Sequence, residues 1–218
     1  VQRIISKVAD DWYRDPGWDA TDRDEFERRL SRARPHNRQQ YLKIKAIALR
    51  DAGLIDAARS LLTRAVNYSE HSWAAERAHS RELLGNIAVQ TGDAEEALHQ
   101  YRTAIEESPT LNGTSGSIPI AAAEVLLTRR GPGDVEEAIA HLDSWPAKVG
   151  FQLSSEIFRW HLARISAATI KRDVDAVRES ARAALQLVEA PPQFRFHPTV
   201  GLVHTDRKTL RQLRRWAR

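Results

Sequence analysis

The feature that most constrains this chain is a recurrence of about forty residues. Four short segments open helical runs in the same way: Gly53-Leu-Ile-Asp-Ala-Ala58, Gly92-Asp-Ala-Glu-Glu-Ala97, Gly133-Asp-Val-Glu-Glu-Ala138 and Arg172-Asp-Val-Asp-Ala-Val177. Ala58 to Ala97 is 39 residues, Ala97 to Ala138 is 41 and Ala138 to Val177 is 39. Before and after each segment the apolar residues recur at i, i+3, i+4, as in Leu42, Ala46, Leu49 and in Leu98, Tyr101, Ile105. Alternating β-branched runs are scarce, while Ala, Leu, Glu, Gln and Arg dominate. The spacing therefore predicts a nearly all-α chain of four helix–turn–helix units. Glycine at the turn permits the left-handed cap conformation. Asp93, Asp134 and Asp173 stand where a carboxylate meets the free N–H groups of a helix start. Each unit is too thin to bury its own apolar face, so stacking must close the core.

The second unit carries a family resemblance. Leu84-Gly85-x-x-Ala88, then Ala97-x-x-x-Tyr101-x-x-Ala104 and Pro109, resembles the tetratricopeptide repeat, with Arg81 and Ala88 where that pattern has Trp and Tyr. The first unit follows with Leu42, Ala46, Leu49, Ala58, Leu62 and Ala65; the third and fourth keep less of it. In the third, Trp145-Pro146 is expected to cut the second helix short. The resemblance covers roughly residues 39–189 and implies an all-α, right-handed superhelix of about four hairpins with helical caps. The organisation expected is a cap over 1–36, repeats over 37–190, and a terminal segment with a basic helix over 191–218. In the first cap, a helix precedes the turn Asp15-Pro16-Gly17, and a second helix opens at Thr21 on a Thr21-x-x-Asp24 capping box. Phe26 and Leu30 of that helix would face the first repeat.

The resemblance also implies where a partner would lie, because the first helices of such units line a concave groove. The groove positions are Gln40, Lys43, Ile47 and Arg50 in the first unit, and His79, Glu82, Asn86, Val89 and Gln90 in the second. A peptide or helix of another protein is the partner this implies. Of the basic and amide positions of groove clamps for C-terminal carboxylates, only Lys43 is matched. That speaks against a chaperone-tail clamp.

Charge supplies a rival. Lys plus Arg is 33 and Asp plus Glu 29, a net +4, but the excess is uneven. Residues 191–218 hold seven basic residues and one acidic. On a last helix opening near Thr205, Arg207, Arg211, Arg214 and Arg218 form one stripe, with Lys208 and Arg215 beside it. Leu210, Leu213, Trp216 and Ala217 fall opposite. One face can dock while the other meets phosphates, an acidic protein, or water alone. A third reading is a regulatory or peptide-sensing component of a larger bacterial system. Self-association through Trp12, Trp18 or Trp216 is set against a role for these rings in closing the core at the caps.

No catalytic set stands out, and neither a cofactor nor a metal is expected. Cysteine is absent, which removes disulfides and thiolate chemistry. Glu76-x-x-His79 places a carboxylate and an imidazole on one helical face but lacks the second copy that carboxylate-bridged metal sites need. Gly131-x-Gly133 lacks the context of a phosphate cradle. Thr114, Ser115 and Ser117 read as part of a flexible linker. No run of 18 apolar residues suggests a membrane span. Lys7, Asp10 and Asp11 interrupt what an export signal would require, so a cytoplasmic protein is expected.

Overall fold

The computed structural model describes residues 11–70 and 73–218. Among these residues there are ten helices and no strand. They are α1 (Ala20–Arg32), α2 (Pro35–Asp51), α3 (Ile55–Val66), α4 (Ala74–Gln90), α5 (Ala94–Glu107), α6 (Ile118–Arg129), α7 (Asp134–Lys148), α8 (Ser154–Lys171), α9 (Val174–Val188) and α10 (Arg207–Trp216). The helix expected at the chain start lies outside the described residues, apart from its end, where Asp11 to Arg14 form a turn.

Neighbouring helices pack in pairs, α2 on α3, α4 on α5, α6 on α7 and α8 on α9. The turns inside three pairs share one device. Gly53, Gly92 and Arg172 adopt the left-handed conformation, with φ of 82°, 80° and 60°. The next residue then donates back across the turn: Leu54 N to Leu49 O at 2.9 Å, Asp93 N to Ala88 O at 2.8 Å, Asp173 N to Ala168 O at 2.9 Å. This bond satisfies a carbonyl that the helix end leaves unpaired. Arg172 adopts the same conformation with a Cβ, at a steric cost that the two glycines avoid.

Asp93 and Asp173 cap as expected, accepting from Glu96 N and Ala176 N at 3.0 Å each. Asp134 does not. Its side chain turns back to Gly131 N (2.7 Å) and forks with Arg129 (2.9 and 2.6 Å), so it locks the longer Gly131-Pro132-Gly133 turn. The expected Thr21–Asp24 box is also corrected. The box is Asp19 with Asp22, bonded reciprocally at 2.8 and 3.1 Å, and α1 starts at Ala20. Trp18, just before Asp19, packs on Phe26.

Nor does Pro146 end its helix: α7 runs on to Lys148. Proline removes the N–H that would bond Leu142 O, four residues back. The indole of Trp160 on α8 takes that place, donating Nε1 to Leu142 O at 2.8 Å.

Three apolar clusters follow one another along the chain. Phe26 and Leu30 of α1 join Leu42, Leu49, Leu61 and Leu62 in the first, with Trp12 and Trp18 packed against it. Leu98, Tyr101, Leu126, Leu142 and Trp145 belong to the second. Phe158, Ile165, Val177, Ala181 and Ala184 form the third, which Leu213 and Trp216 of α10 close. The three tryptophans weighed as self-association anchors thus all take part in the terminal clusters.

Residues 109–117 are not a loose linker. Glu82 on α4 accepts from Ser115 N at 3.0 Å and from Ser115 Oγ. Ser117 Oγ donates to Glu156 at 2.8 Å, and Trp145 Nε1 donates to Gly116 O at 2.8 Å. Partners more than 25 residues away hold the segment, which is why its Gly- and Ser-rich composition misleads.

Candidate binding groove

Nine positions were expected on the groove, and the structure divides them. On α2, Gln40 is exposed and Ile47 is half-buried against the first cluster. Arg50 lies on the neighbouring Asp51 carboxylate at 3.0 and 2.8 Å. Lys43 is buried, not exposed. Its Nζ lies 2.6 Å from Glu76 and 3.2 Å from His79 Nδ1, both on α4. An ammonium thus sits between the carboxylate and imidazole whose spacing invited a metal reading. Among the described residues no group of three His, Cys, Asp or Glu could hold a metal ion.

His79 stays neutral down to a pKa of about 4, because burial and the Lys43 and Arg50 charges all oppose a proton; Glu76 acts against them. Glu82 is also buried, spent on Ser115, and burial pushes its carboxyl up. It belongs to the structure that holds the loop, not to the open face.

Asn86, Val89 and Gln90 are exposed, and the first two line a cleft of about 380 Å³. α4 supplies one wall. α6 supplies Ala121, Glu124, Val125, Thr128 and Arg129, and α8 supplies Arg159. Beneath lies Tyr101 of α5, whose hydroxyl donates to Asn86 Oδ1 at 2.7 Å. That bond fixes the Asn86 amide and leaves its NH2 group for an incoming acceptor. Tyr101 can sit there because residue 85 is glycine. A Cβ at Gly85 would lie 2.4 Å from the Tyr101 ring. Arg159 pairs with Glu124 through a two-pronged contact, Nε to Oε1 at 2.7 Å and Nη2 to Oε2. The pair ties α8 to α6, and the hydrogen bond to Glu124 holds the guanidinium above its ordinary range.

No family model and no curated protein matches this chain. The cleft must therefore be read from its own chemistry. It offers an apolar floor from Val89, Ala121 and Val125, an amide at Asn86, and an ion pair within which either charge can be recruited.

The α6 and α8 wall escaped the sequence reading, because the 41-residue step between the second and third units points to other residues. Ala121, Val125 and Thr128 of the cleft stand 39 residues after Glu82, Asn86 and Val89, whereas the second helices of the same two units are 41 apart, because the Gly131-Pro132-Gly133 turn is longer. The third unit lacks the motif residues that would have set its register.

The six cations expected on the last helix are all exposed: Arg207, Lys208, Arg211, Arg214, Arg215 and Arg218. Opposite them, Leu213 is fully buried and Trp216 and Ala217 pack on the third cluster, while Leu210 is half-buried.

The buried histidines make stability depend on pH. His79 and His161 both have pKa values near 4, with burial the first cause in each. Arg164 adds to it for His161. An unfolded histidine titrates near 6.5. The unfolded chain therefore binds the extra protons as pH falls, and the stability present above about 6.5 is lost toward 4. Glu82 acts in the opposite sense, since its raised pKa relieves a cost on acidification. We expect the unfolding free energy measured with urea to fall between pH 7 and 5, above the carboxylate range, by on the order of 1–3 kcal/mol once solvent screening of these half-buried rings is allowed for. A His79→Gln, His161→Gln chain should flatten that decline; an equal slope in both proteins would refute the assignment.

Proposed function

We propose that this chain is a non-enzymatic protein-interaction module. Its helix pairs form a right-handed, tetratricopeptide-like superhelix, and the concave side takes a peptide or helix of a partner protein. Helix pairing supports the architecture, as do the left-handed turns at Gly53, Gly92 and Arg172. The observation that carries the function is the α4–α6–α8 cleft. There Val89 stays 48% exposed beside the polar Asn86 and the Glu124–Arg159 pair. An apolar floor with a few fixed polar groups suits a bound segment that inserts one apolar side chain and offers backbone carbonyls to the Asn86 amide.

Selection of displayed random peptides on the intact chain tests the proposal. Enriched peptides should bind with micromolar Kd, and Val89→Glu with Asn86→Ala should weaken them at least tenfold at unchanged helicity. Val89 is exposed, whereas Asn86→Ala also strips the buried Tyr101 hydroxyl of its acceptor, so Val89→Glu alone and an unchanged thermal melt are the controls. Failure to enrich any sequence, or binding indifferent to the double substitution, would overturn the reading.

A further inference from the structure

Several arginines elsewhere on this molecule are neutralised across helices: Arg64 by Glu27, Arg102 by Glu137, Arg129 by Glu95 and Asp134, Arg164 by Asp143. The carboxy-terminal cations are grouped together and exposed. Among the described residues, none of the six on the α10 face forms an ion pair within 4.0 Å. Asp206, the one acidic residue of 191–218, is occupied as the cap of α10, accepting from Thr209 N at 2.7 Å. Docking through Leu213 and Trp216 fixes which way the helix faces. Arg207, Arg211, Arg214 and Arg218 then follow one another at steps of 4, 3 and 4 residues. On a helix this stripe is about 16 Å long. Such a row repels itself unless an extended anion meets it.

A second observation identifies the kind of anion. The segment leading into α10 is fastened across the start of α8. Gln193 Oε1 accepts from Ser154 N at 2.7 Å, and Gly201 O accepts from Ser155 N at 2.9 Å. Val203 of the same segment joins Leu213 in the third cluster. Held this way, Phe196 is 84% exposed and Phe151 61% exposed, and the Arg195 guanidinium lies 5.6 Å from the Phe196 ring centre. Phe151 leans on Phe194, which leaves Phe196 as the bare ring beside a guanidinium. Single strands use such a site: bases stack on the ring, and phosphates take the two-pronged arginine contact. A membrane surface fits less well, because the apolar side of α10 is already spent on the third cluster.

We propose that α10 and the segment before it bind single-stranded nucleic acid, with the arginine stripe on successive phosphates and Phe196 as a stacking platform. The test is fluorescence anisotropy of the full chain with labelled oligo(dT) and oligo(U), a duplex of equal length, and a polyglutamate peptide. Four phosphate contacts give a slope of log affinity on log salt of about −3, so single-strand binding should weaken ~50-fold from ~50 to ~200 mM. Arg211→Ala with Arg214→Ala should roughly halve that slope. Phe196→Ala should weaken binding about fivefold or more and leave the slope unchanged. Thermal melts should be unaltered in these variants, since every substituted side chain is exposed. No binding at ~50 mM salt would overturn the proposal. So would polyglutamate binding as tight as the oligonucleotides, which assigns the face to an acidic protein. Equal affinity for duplex with no effect of Phe196→Ala would overturn the single-strand and stacking part.

Discussion

Gly85→Ala is expected to destabilise the chain by about 1–3 kcal/mol, although alanine is the better helix former by up to about 1 kcal/mol. Gly85 is buried in the middle of α4, and the helix crosses α5 where the Tyr101 ring fills the space a Cβ would need. Tyr101 is 1% exposed, so the ring has no room to withdraw. The two helices must part, and the Tyr101–Asn86 bond that braces the cleft is strained or broken. The pair gives an internal control. In a Tyr101→Leu background, the same alanine should cost much less or stabilise, because the clashing ring is gone. Urea unfolding of the four proteins checks this. A cost for Gly85→Ala that is equal in both backgrounds would mean that the ring is not the obstacle.

The second large effect is predicted for Trp160. Trp160 is half-buried against the second cluster, and Trp160→Ala should cost about 2–3 kcal/mol through lost packing, below the range of a fully buried ring. The sharper variant is Trp160→Phe, which keeps a ring but removes the donor to Leu142 O. An unpaired buried carbonyl costs about 1–3 kcal/mol. The penalty should depend on Pro146, because the proline is what left that carbonyl free. In Pro146→Ala, a backbone N–H becomes available within α7 itself. Trp160→Phe should then cost at least 1 kcal/mol less than in the parent, a coupling of the ordinary size for groups sharing one partner. Zero coupling would show that the indole packs but does not replace the missing bond.

These two sites show where sequence reasoning reached and where it stopped. Helix-forming stretches and the Asp93 and Asp173 caps were legible, since local periodicity and local hydrogen bonds decide them. Pro146 read as a stop because proline is a local signal; Trp160, which offsets it from another helix, is not. Residues 109–117 read as a linker for the same reason, with Glu82, Trp145 and Glu156 supplying the hold from afar. Lys43 and Glu82 read as groove residues because the resemblance put them on the concave face, yet each is buried with a specific partner. Exposure of a charged side chain is settled by which segment arrives opposite it. Asn86 and Val89 were legible because the resemblance placed their helix in register. Glu124 and Arg159 were not, since their helices keep too little of the motif to be aligned.

The most direct test of the account is whether the α4–α6–α8 cleft is where a partner sits. Methyl NMR of the intact chain, titrated with a peptide selected on it, reads this position by position. The account predicts saturable shifts for Val89 and Val125, joined by the Asn86 side-chain amide, with Val177 and Val203 unmoved. Shifts confined to Val177, Val203 or α10, with Val89 and Val125 silent at saturation, would contradict it.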